Sequence, residues 1–225
     1  MQEQGGKIQQ KKAAIILSGC GVFDGSEITE AVAAIFGVCE AGAKPYFFAP
    51  DMEQAEVVNH LTGKIENEKR NVLAESARIA RGEISDLKDF KPEEFDAAIF
   101  VGGFGAAKNL STFAYDGAGA KICQEAERAV LGMYNLNKPL GFVCIAPASV
   151  GAVVLGKFGV ELTIGSDPRT AAQLEKTGAR HVECAAADFH KDPSSNVYST
   201  PAYMLAQSPL DVLHGVGKMA RAMLK

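Results

Sequence analysis

One cysteine stands where a reactive thiol would be expected. Cys144 directly follows the apolar stretch Pro139-Leu140-Gly141-Phe142-Val143, and the small residues Ala146 and Ala148 come just after it. A buried strand that turns sharply into a helix presents its nucleophile at the turn, and small neighbours permit that turn. The helix dipole and free backbone N–H groups there favour the thiolate, which is the reactive form. Cys144 is therefore the candidate nucleophile, with a buried structural cysteine as the alternative.

Two further motifs could complete a site around this thiol. Gly102 and Gly103 end another apolar stretch, and glycine lets the backbone approach a ligand closely, so Gly102 is expected to line the pocket. The N–H groups of Gly103 and Ile145 could form an oxyanion hole. Glu30 lies in the first helix, with Glu27 three residues earlier on the same face, and a buried carboxyl beside a thiol can orient it or carry its proton. An ordinary glycine turn and a surface acid are the alternatives.

The other cysteines give weaker signals. Cys20 lies between two glycines at the end of the first strand and could line the same pocket. Cys39 and Cys123 fall within predicted helices and are expected in the core. Cys184 ends a short predicted strand and has no assigned role.

The histidines do not supply a partner for the cysteine. The chain has four of them: His60, His181, His190 and His214. None directly follows Cys144, so a Cys–His pair cannot be assigned. His60 is the best outside candidate if its loop folds over the strand ends, and a solvated loop histidine is the alternative.

Strands and helices alternate along the chain, and this alternation must position these residues. Unbroken apolar stretches predict buried strands at 13–18, 44–50, 95–101 and 139–143, with short strands at 161–165, 181–184 and 196–200. Helices are predicted at 26–42, 71–81, 120–136, 146–155 and 209–224, the first capped by Ser26. The pattern indicates an α/β fold with a mostly parallel sheet, whose ligands bind at the carboxyl ends of the strands.

The domain organisation is expected to be simple. Residues 1–11 are polar and Gln-rich and read as a flexible tail, not as a signal peptide. Residues 12–225 read as a single domain without linker or internal repeat. The segment 51–87 is long for a simple crossover, and it could form a flap or an interface arm.

Composition excludes several classes of protein. The 225 residues are 47% apolar with a formal net charge of −4, so the chain can bury a sizeable core. No apolar run reaches membrane-spanning length, and a basic face for nucleic acid is lacking. Five scattered cysteines without a CxxC pair fit neither a disulfide framework nor a metal site, and they favour a reducing, cytoplasmic location.

Several motifs together resemble the ElbB-like family, whose members are also called isoprenoid-biosynthesis-enhancing or ES-type proteins. The resemblance spans about residue 12 to the C-terminus and is carried by Leu17-Ser-Gly-Cys-Gly-Val-Phe-Asp-Gly-Ser-Glu-Ile28, Asn59-His-Leu-Thr-Gly63, Gly102-Gly-Phe-Gly-Ala-Ala-Lys-Asn-Leu110, Gly141-Phe-Val-Cys-Ile-Ala-Pro-Ala148 and Thr200-Pro-Ala-Tyr-Met204. This family lies in the PfpI-type, class I glutamine amidotransferase-like superfamily. The resemblance implies a flavodoxin-like three-layer sandwich with a cysteine nucleophile elbow, and a homodimer.

The resemblance also implies roles and an activity. Cys144 takes the nucleophile position, Gly103 and Ile145 take the oxyanion-hole positions, and Glu30 takes the place of the acid that hydrogen-bonds the thiol. The implied reaction is that of a glutathione-independent glyoxalase, a lyase acting on small dicarbonyls such as glyoxal through a hemithioacetal. No cofactor or metal is expected, and the only expected partners are the carbonyl substrate and a second copy. Because Ile145 stands where relatives place a histidine, the activity is expected to be low.

Two other functions compete with this one. Gly19-Cys20-Gly21 follows a strand as dinucleotide-binding loops do, but Asp24 stands where the third glycine would be, and a carboxylate repels pyrophosphate. The second rival is a non-enzymatic redox sensor or stress-protective protein that uses Cys144, because an exposed thiolate oxidises readily.

Overall fold

A central sheet organises the protein, whose computed structural model describes residues 10–225. The strands are β1 (Lys12–Ile16), β2 (Lys44–Ala49), β3 (Val58–Asn59), β4 (Lys64–Ile65), β5 (Ile84–Asp86), β6 (Ala97–Phe100), β7 (Leu140–Val143), β8 (Glu161–Leu162), β9 (Arg180–His181), β10 (His190–Lys191) and β11 (Val197–Thr200). Seven of them form the main sheet in the order β10-β11-β7-β6-β1-β2-β5, and its strand pairs are parallel except β10 with β11.

Helices cover both faces of this sheet. The α-helices are α1 (Ile28–Glu40), α2 (Val72–Ile79), α3 (Phe104–Lys108), α4 (Phe113–Asp116), α5 (Gln124–Asn135), α6 (Val153–Leu155), α7 (Pro168–Lys176) and α8 (Pro209–Met223). A π-helix spans Pro147–Ala152, and short 3₁₀ turns span Leu87–Asp89, Pro92–Glu94, Gly117–Gly119, Gly156–Phe158 and Ala202–Met204. The predicted α/β fold with a mostly parallel sheet is confirmed.

The central strands alternate their side chains between two apolar cores. Ile16 and Phe100 point into the core that contains α5, whereas Ile15 and Ile99 point into the core beneath α1 and α8. All four are fully buried, as expected for strands that have helices on both faces. The result is three layers, with the sheet between two sets of helices.

The strand order brings the predicted motifs together. β1, β6 and β7 are neighbours, and all three run in the same direction. Their carboxyl ends carry the Gly19-Cys20-Gly21 motif, the Gly102-Gly103 motif and Cys144, respectively. The site predicted from separate parts of the sequence therefore lies at one edge of the sheet.

Some local predictions were wrong. Ser26 does not cap α1; it is buried, and its Oγ accepts the N–H of Ser18 at 2.9 Å, while the carboxylate of Glu27 provides the cap. Cys39 is exposed on α1 and is not a core residue, whereas Cys123 is half-buried, packs against the core that contains α5, and occupies the N-cap position of α5 instead of lying within it. The helix predicted from residue 120 begins only at Gln124, and the one predicted at 146–155 is largely a π-helix.

The structure describes segment 51–87 but not most of the predicted tail. Residues 1–9 of the predicted tail lie outside the described residues. Segment 51–87 folds into the β3–β4 hairpin, α2 and the edge strand β5. In the part of the chain that the structure describes, no helix combines the length and apolar character needed to cross a bilayer.

The outer face of α1 is unusually apolar for a surface helix. Ile28, Val32 and Phe36 follow one another at four-residue spacing and are between 40% and 56% exposed. The only charged residues of this helix are Glu30, which is fully buried, and Glu40 at its end. A helix that is apolar all round normally packs against protein on both sides.

Candidate active site

Cys144 occupies a strained turn immediately after β7. Its φ is +62°, in the left-handed region that costs a non-glycine residue free energy and that recurs at active sites. The backbone N–H of Cys144 donates to the carbonyl of Thr200 at 2.9 Å, which holds the turn against β11. The N–H groups of Gly103 and Ile145 point at the thiol sulfur. The residue is only 8% exposed, so its thiol is largely shielded from solvent.

Glu30 brings a buried carboxyl to this thiol. It lies in the first turn of α1 and is completely inaccessible to solvent. The carboxyl is within hydrogen-bonding reach of the Cys144 thiol, and its Oε1 accepts the N–H of Tyr203 at 3.3 Å. The other oxygen, Oε2, is buried without a regular hydrogen bond. An unsatisfied buried oxygen beside a sulfur atom suits a protonated carboxyl that donates to that sulfur.

Burial sets the protonation of the pair. It raises the pKa of Glu30 to about 8, and the charge of Glu27 adds to this, while the Cys144 thiol and the N–H groups of Tyr203 and Gly102 act to lower it. Burial also raises the pKa of Cys144 well above its usual range, with the charge of Glu30 as the next cause. At neutral pH the site therefore holds a neutral carboxyl and a neutral thiol. This contradicts the expectation of a resting thiolate, because desolvation outweighs the N–H groups that face the sulfur.

Gly102 is required by the closeness of the two side chains. A Cβ on Gly102 would lie 2.5 Å from the Cβ of Cys144 and 2.5 Å from Oε2 of Glu30. Both distances are far below van der Waals contact, so any side chain at 102 would force the thiol and the carboxyl apart. Gly103 has a φ of +89°, and a Cβ there would lie 2.5 Å from the backbone N of Glu27. The two glycines thus let β6 and the start of α1 close on Cys144.

The structure places Cys20 and His60 in a neighbouring region. Cys20 is half-buried, and burial raises its pKa, with further effects from Glu75, Arg78 and Asp24. The charged groups that act on Cys20 are thus those of α2 and the β1–α1 loop, not those of the Cys144 pair. Within the described residues, no contact with the Cys144–Glu30 pair gives Cys20 a role in the site.

His60 does fold over the strand ends, as its candidacy required. It packs on the loop after β1, where a Cβ on Gly21 would lie 2.5 Å from Nε2 of His60. Its Nδ1 lies 2.9 Å from the carbonyl of Val58, and its Nε2 accepts the N–H of Phe23 at 3.2 Å. These two bonds fix the neutral tautomer that carries its proton on Nδ1. With both ring nitrogens engaged, His60 holds the hairpin on the loop and is not free to act as a base.

No role was predicted from the sequence for Tyr203, whose backbone N–H contributes to the site. The N–H of Tyr203 reaches Glu30 because Ala202, just before it, adopts a φ of +43°. The motif Thr200-Pro-Ala-Tyr-Met204 is visible in the sequence, but a backbone donor leaves no side-chain signature. Its proximity to Glu30 follows only from the packing of α1 and α8 beside β11.

Comparison with known proteins shows the family to which this chain belongs. No family model matches the chain. The human glutamine amidotransferase-like class 1 domain-containing protein 3, mitochondrial, is 43% identical over 225 residues, covering 95% of this chain and 82% of the human protein. The ES1 protein, mitochondrial, of Danio rerio is 32% identical over 208 residues, covering 85% of this chain and 76% of that protein.

Solved structures agree with these relatives. An Ehrlichia chaffeensis protein described as an isoprenoid biosynthesis protein with an amidotransferase-like domain has 38% identity and a TM-score of 0.86, covering 94% of this chain and 98% of that one. DJ-1beta of Drosophila melanogaster, at 18% identity and a TM-score of 0.53, covers 95% of this chain and 90% of that one, and shares the fold alone. From this identity over nearly its whole length, the chain belongs to the ElbB-like, or ES1, family of class I glutamine amidotransferase-like proteins, with a flavodoxin-like DJ-1/ThiJ/PfpI fold.

Proposed function

We propose that this protein is a cysteine-dependent enzyme that converts small dicarbonyls such as glyoxal to hydroxy acids without glutathione or another cofactor. The observation that carries the proposal is the buried Glu30 carboxyl beside the Cys144 thiol, with the N–H groups of Gly103 and Ile145 directed at the sulfur. This arrangement supplies a nucleophile, a proton carrier and two donors for a developing oxyanion.

The reaction needs no external oxidant. The Cys144 sulfur adds to one aldehyde carbon of glyoxal, the carbonyl electron pair moves to oxygen, and oxygen takes up the thiol's proton by way of the Glu30 carboxyl. In the resulting hemithioacetal the proton on C1 moves to C2 through an enediol, so C1 is oxidised to a thioester while C2 is reduced to an alcohol. Water then hydrolyses the thioester, which releases glycolate and restores the thiol. The sum is glyoxal plus water to glycolate.

The same geometry supports a slow reaction. The pKa of Cys144 lies well above its usual range because the thiol is buried, so little thiolate is present at neutral pH. Ile145 follows the cysteine, and His60 is engaged elsewhere, so Glu30 is the proton carrier that the site offers. A lone carboxyl that must serve every proton transfer limits the rate.

Turnover of glyoxal by matched variants tests the proposal. Glycolate formation is measured for wild type, Cys144→Ala and Cys39→Ala, the last being an exposed cysteine on the outer side of α1. Wild type and Cys39→Ala should turn over equally, and Cys144→Ala should fall to the buffer rate. Turnover that survives in Cys144→Ala, or is absent in wild type, would overturn the proposal.

The redox-sensing alternative has less support. A peroxide sensor needs an accessible thiolate. Cys144 is 8% exposed and its pKa is raised by burial, which disfavours both features. Equal, negligible glyoxal turnover in wild type and Cys144→Ala, together with selective peroxide oxidation of Cys144, would favour the sensor over the enzyme.

We also propose that the protein pairs with a second copy through the outer face of α1. The support is the exposed apolar row of Ile28, Val32 and Phe36, because a row on one helix can pack against its own symmetry mate.

The human and Danio rerio relatives are named mitochondrial. The cytoplasmic location expected for this chain stays a prediction, as does the absence of nucleic-acid and membrane partners.

A further inference from the structure

Glu27 is the acidic residue that lies nearest in the chain to the reactive pair and has no assigned role. It is the N-cap of α1, and its carboxylate accepts the N–H of Glu30 at 2.7 Å. Its own N–H donates to the carbonyl of Gly102 at 3.1 Å. Glu27 is therefore hydrogen-bonded to both segments that enclose the Cys144 thiol, namely the start of α1 and the end of β6.

Among the ion pairs formed within residues 10–225, none includes Glu27. The side chain is half-buried, whereas Glu30 is fully buried. The helix dipole favours a carboxylate at either position, but desolvation opposes the charge on the fully buried Glu30 more strongly, so the negative charge resides on Glu27.

We propose that Glu27 is a positioning residue: its carboxylate fixes the first turn of α1 under Glu30 and keeps the proton of the Glu30 carboxyl beside the Cys144 sulfur. The hydrogen bond to the N–H of Glu30 sets where the Glu30 side chain begins. The negative charge makes a second negative charge on Glu30 costly, because like charges close together cannot both ionise easily. Two carboxyls three residues apart thus take different forms, one charged and one neutral.

The other groups around Glu30 do not supply this effect. The Cys144 thiol faces it from the turn after β7, the N–H of Tyr203 faces it from the turn after β11, and the N–H of Gly102 faces it from the end of β6. All three favour the ionised carboxylate and so lower the pKa of Glu30, the N–H of Tyr203 through its hydrogen bond to Oε1. Burial and the charge of Glu27 are what keep the carboxyl protonated.

This inference rests on the Glu30–Cys144 pair of the proposed function, and the test separates the two. The full-length protein is treated with iodoacetamide from about pH 6 to about pH 10, and modification of Cys144 is quantified by peptide mass spectrometry. In wild type the rate should rise with pH and level off near the pKa of Glu30, about 8, where the proton donor to the sulfur is lost.

Two substitutions separate charge from capping. Glu27→Gln keeps a carbonyl oxygen for the N–H of Glu30 but removes the charge, so the levelling-off should move to lower pH by roughly one unit. Glu27→Asp keeps both charge and cap, since aspartate is a strong N-cap residue, and should behave as wild type. Asp167→Asn is the matched control: Asp167 caps α7 by accepting the N–H of Thr170 at 2.8 Å, and its removal should shift nothing.

A second readout tests the same shift spectroscopically and does not depend on the access of a reagent to Cys144. The infrared band of the protonated Glu30 carboxyl, identified by its loss in Glu30→Gln, should titrate at lower pH in Glu27→Gln than in Glu27→Asp. Unchanged profiles in Glu27→Gln, or equal shifts in the Gln and Asp variants, would overturn the role of the charge. If the shift appears while glyoxal is not turned over, the proposed function fails and the role of Glu27 stands.

Discussion

Replacing Glu30 by glutamine should change how stability depends on pH. The pKa of Glu30 is raised by burial to about 8 in the folded protein, against 4.5 for an unperturbed glutamate. The unfolded chain therefore releases this proton near pH 4.5, while the folded protein keeps it until about pH 8. Over that window stability falls as pH rises, by about 1.4 kcal/mol per pH unit from this group. Glu30→Gln has no proton to lose and removes this slope.

The effect is large enough to measure by urea unfolding. Between about pH 5 and about pH 7.5, wild type should lose about 3 kcal/mol of stability relative to Glu30→Gln. The change of the difference with pH is the readout, because a constant offset reflects only the fit of the amide. Glu83→Gln, at an exposed residue, should keep the wild-type slope. Parallel curves for wild type and Glu30→Gln would mean that Glu30 is ionised in the fold, and the neutral acid–thiol pair would be refuted.

Three further predictions concern Gly102, the alkylation of Cys144 and the exposed apolar face of α1. Gly102→Ala should cost roughly 1–3 kcal/mol of stability by overpacking and slow alkylation of Cys144, whereas Gly119→Ala, where a Cβ meets nothing within 4 Å, should be close to neutral in both assays. Alkylation of Cys144 in Glu30→Gln should keep rising above the pH at which wild type levels off; a shared plateau would exclude coupling of the two groups. Phe36→Glu should shift the protein from dimer to monomer in light scattering while glyoxal turnover per chain is retained; an unchanged mass would exclude α1 as the interface.

The central strands could be predicted from the sequence because they are buried on both faces. That environment leaves unbroken apolar stretches, so β6 and β7 lie within the predicted ranges, and β1 begins one residue before its predicted range and ends two residues before the end of it. Short elements at the rim, such as β5 and β10, leave no such pattern because their packing comes from distant segments. Helix α7 was not predicted, although it begins with a signature that is readable in the sequence: Asp167 as N-cap and Pro168 at the first helical position.

The position of the site was also predictable, but its protonation was not. Cys144, Glu30 and the two glycines converge because parallel neighbours end at one edge of the sheet. The sign of a pKa shift depends on how completely water is excluded, and no local pattern reports that. The sequence pattern predicts that N–H groups activate a thiol at the end of a strand, yet burial of this thiol has the larger effect on its pKa. The backbone donor at Tyr203 is hidden for the same reason, because its contribution depends on three-dimensional packing alone.

The close packing of Gly102 against Cys144 and the Glu30 carboxyl has a stereochemical consequence. Because even a methyl group at residue 102 would clash with the Cβ of Cys144 and with Oε2 of Glu30, we expect a carbonyl compound to approach the sulfur from another side. A proton carried by Glu30 then reaches any bound intermediate from one direction. Glyoxal cannot reveal this, since glycolate has no stereocentre, but a dicarbonyl with a single methyl substituent should yield lactate of one hand.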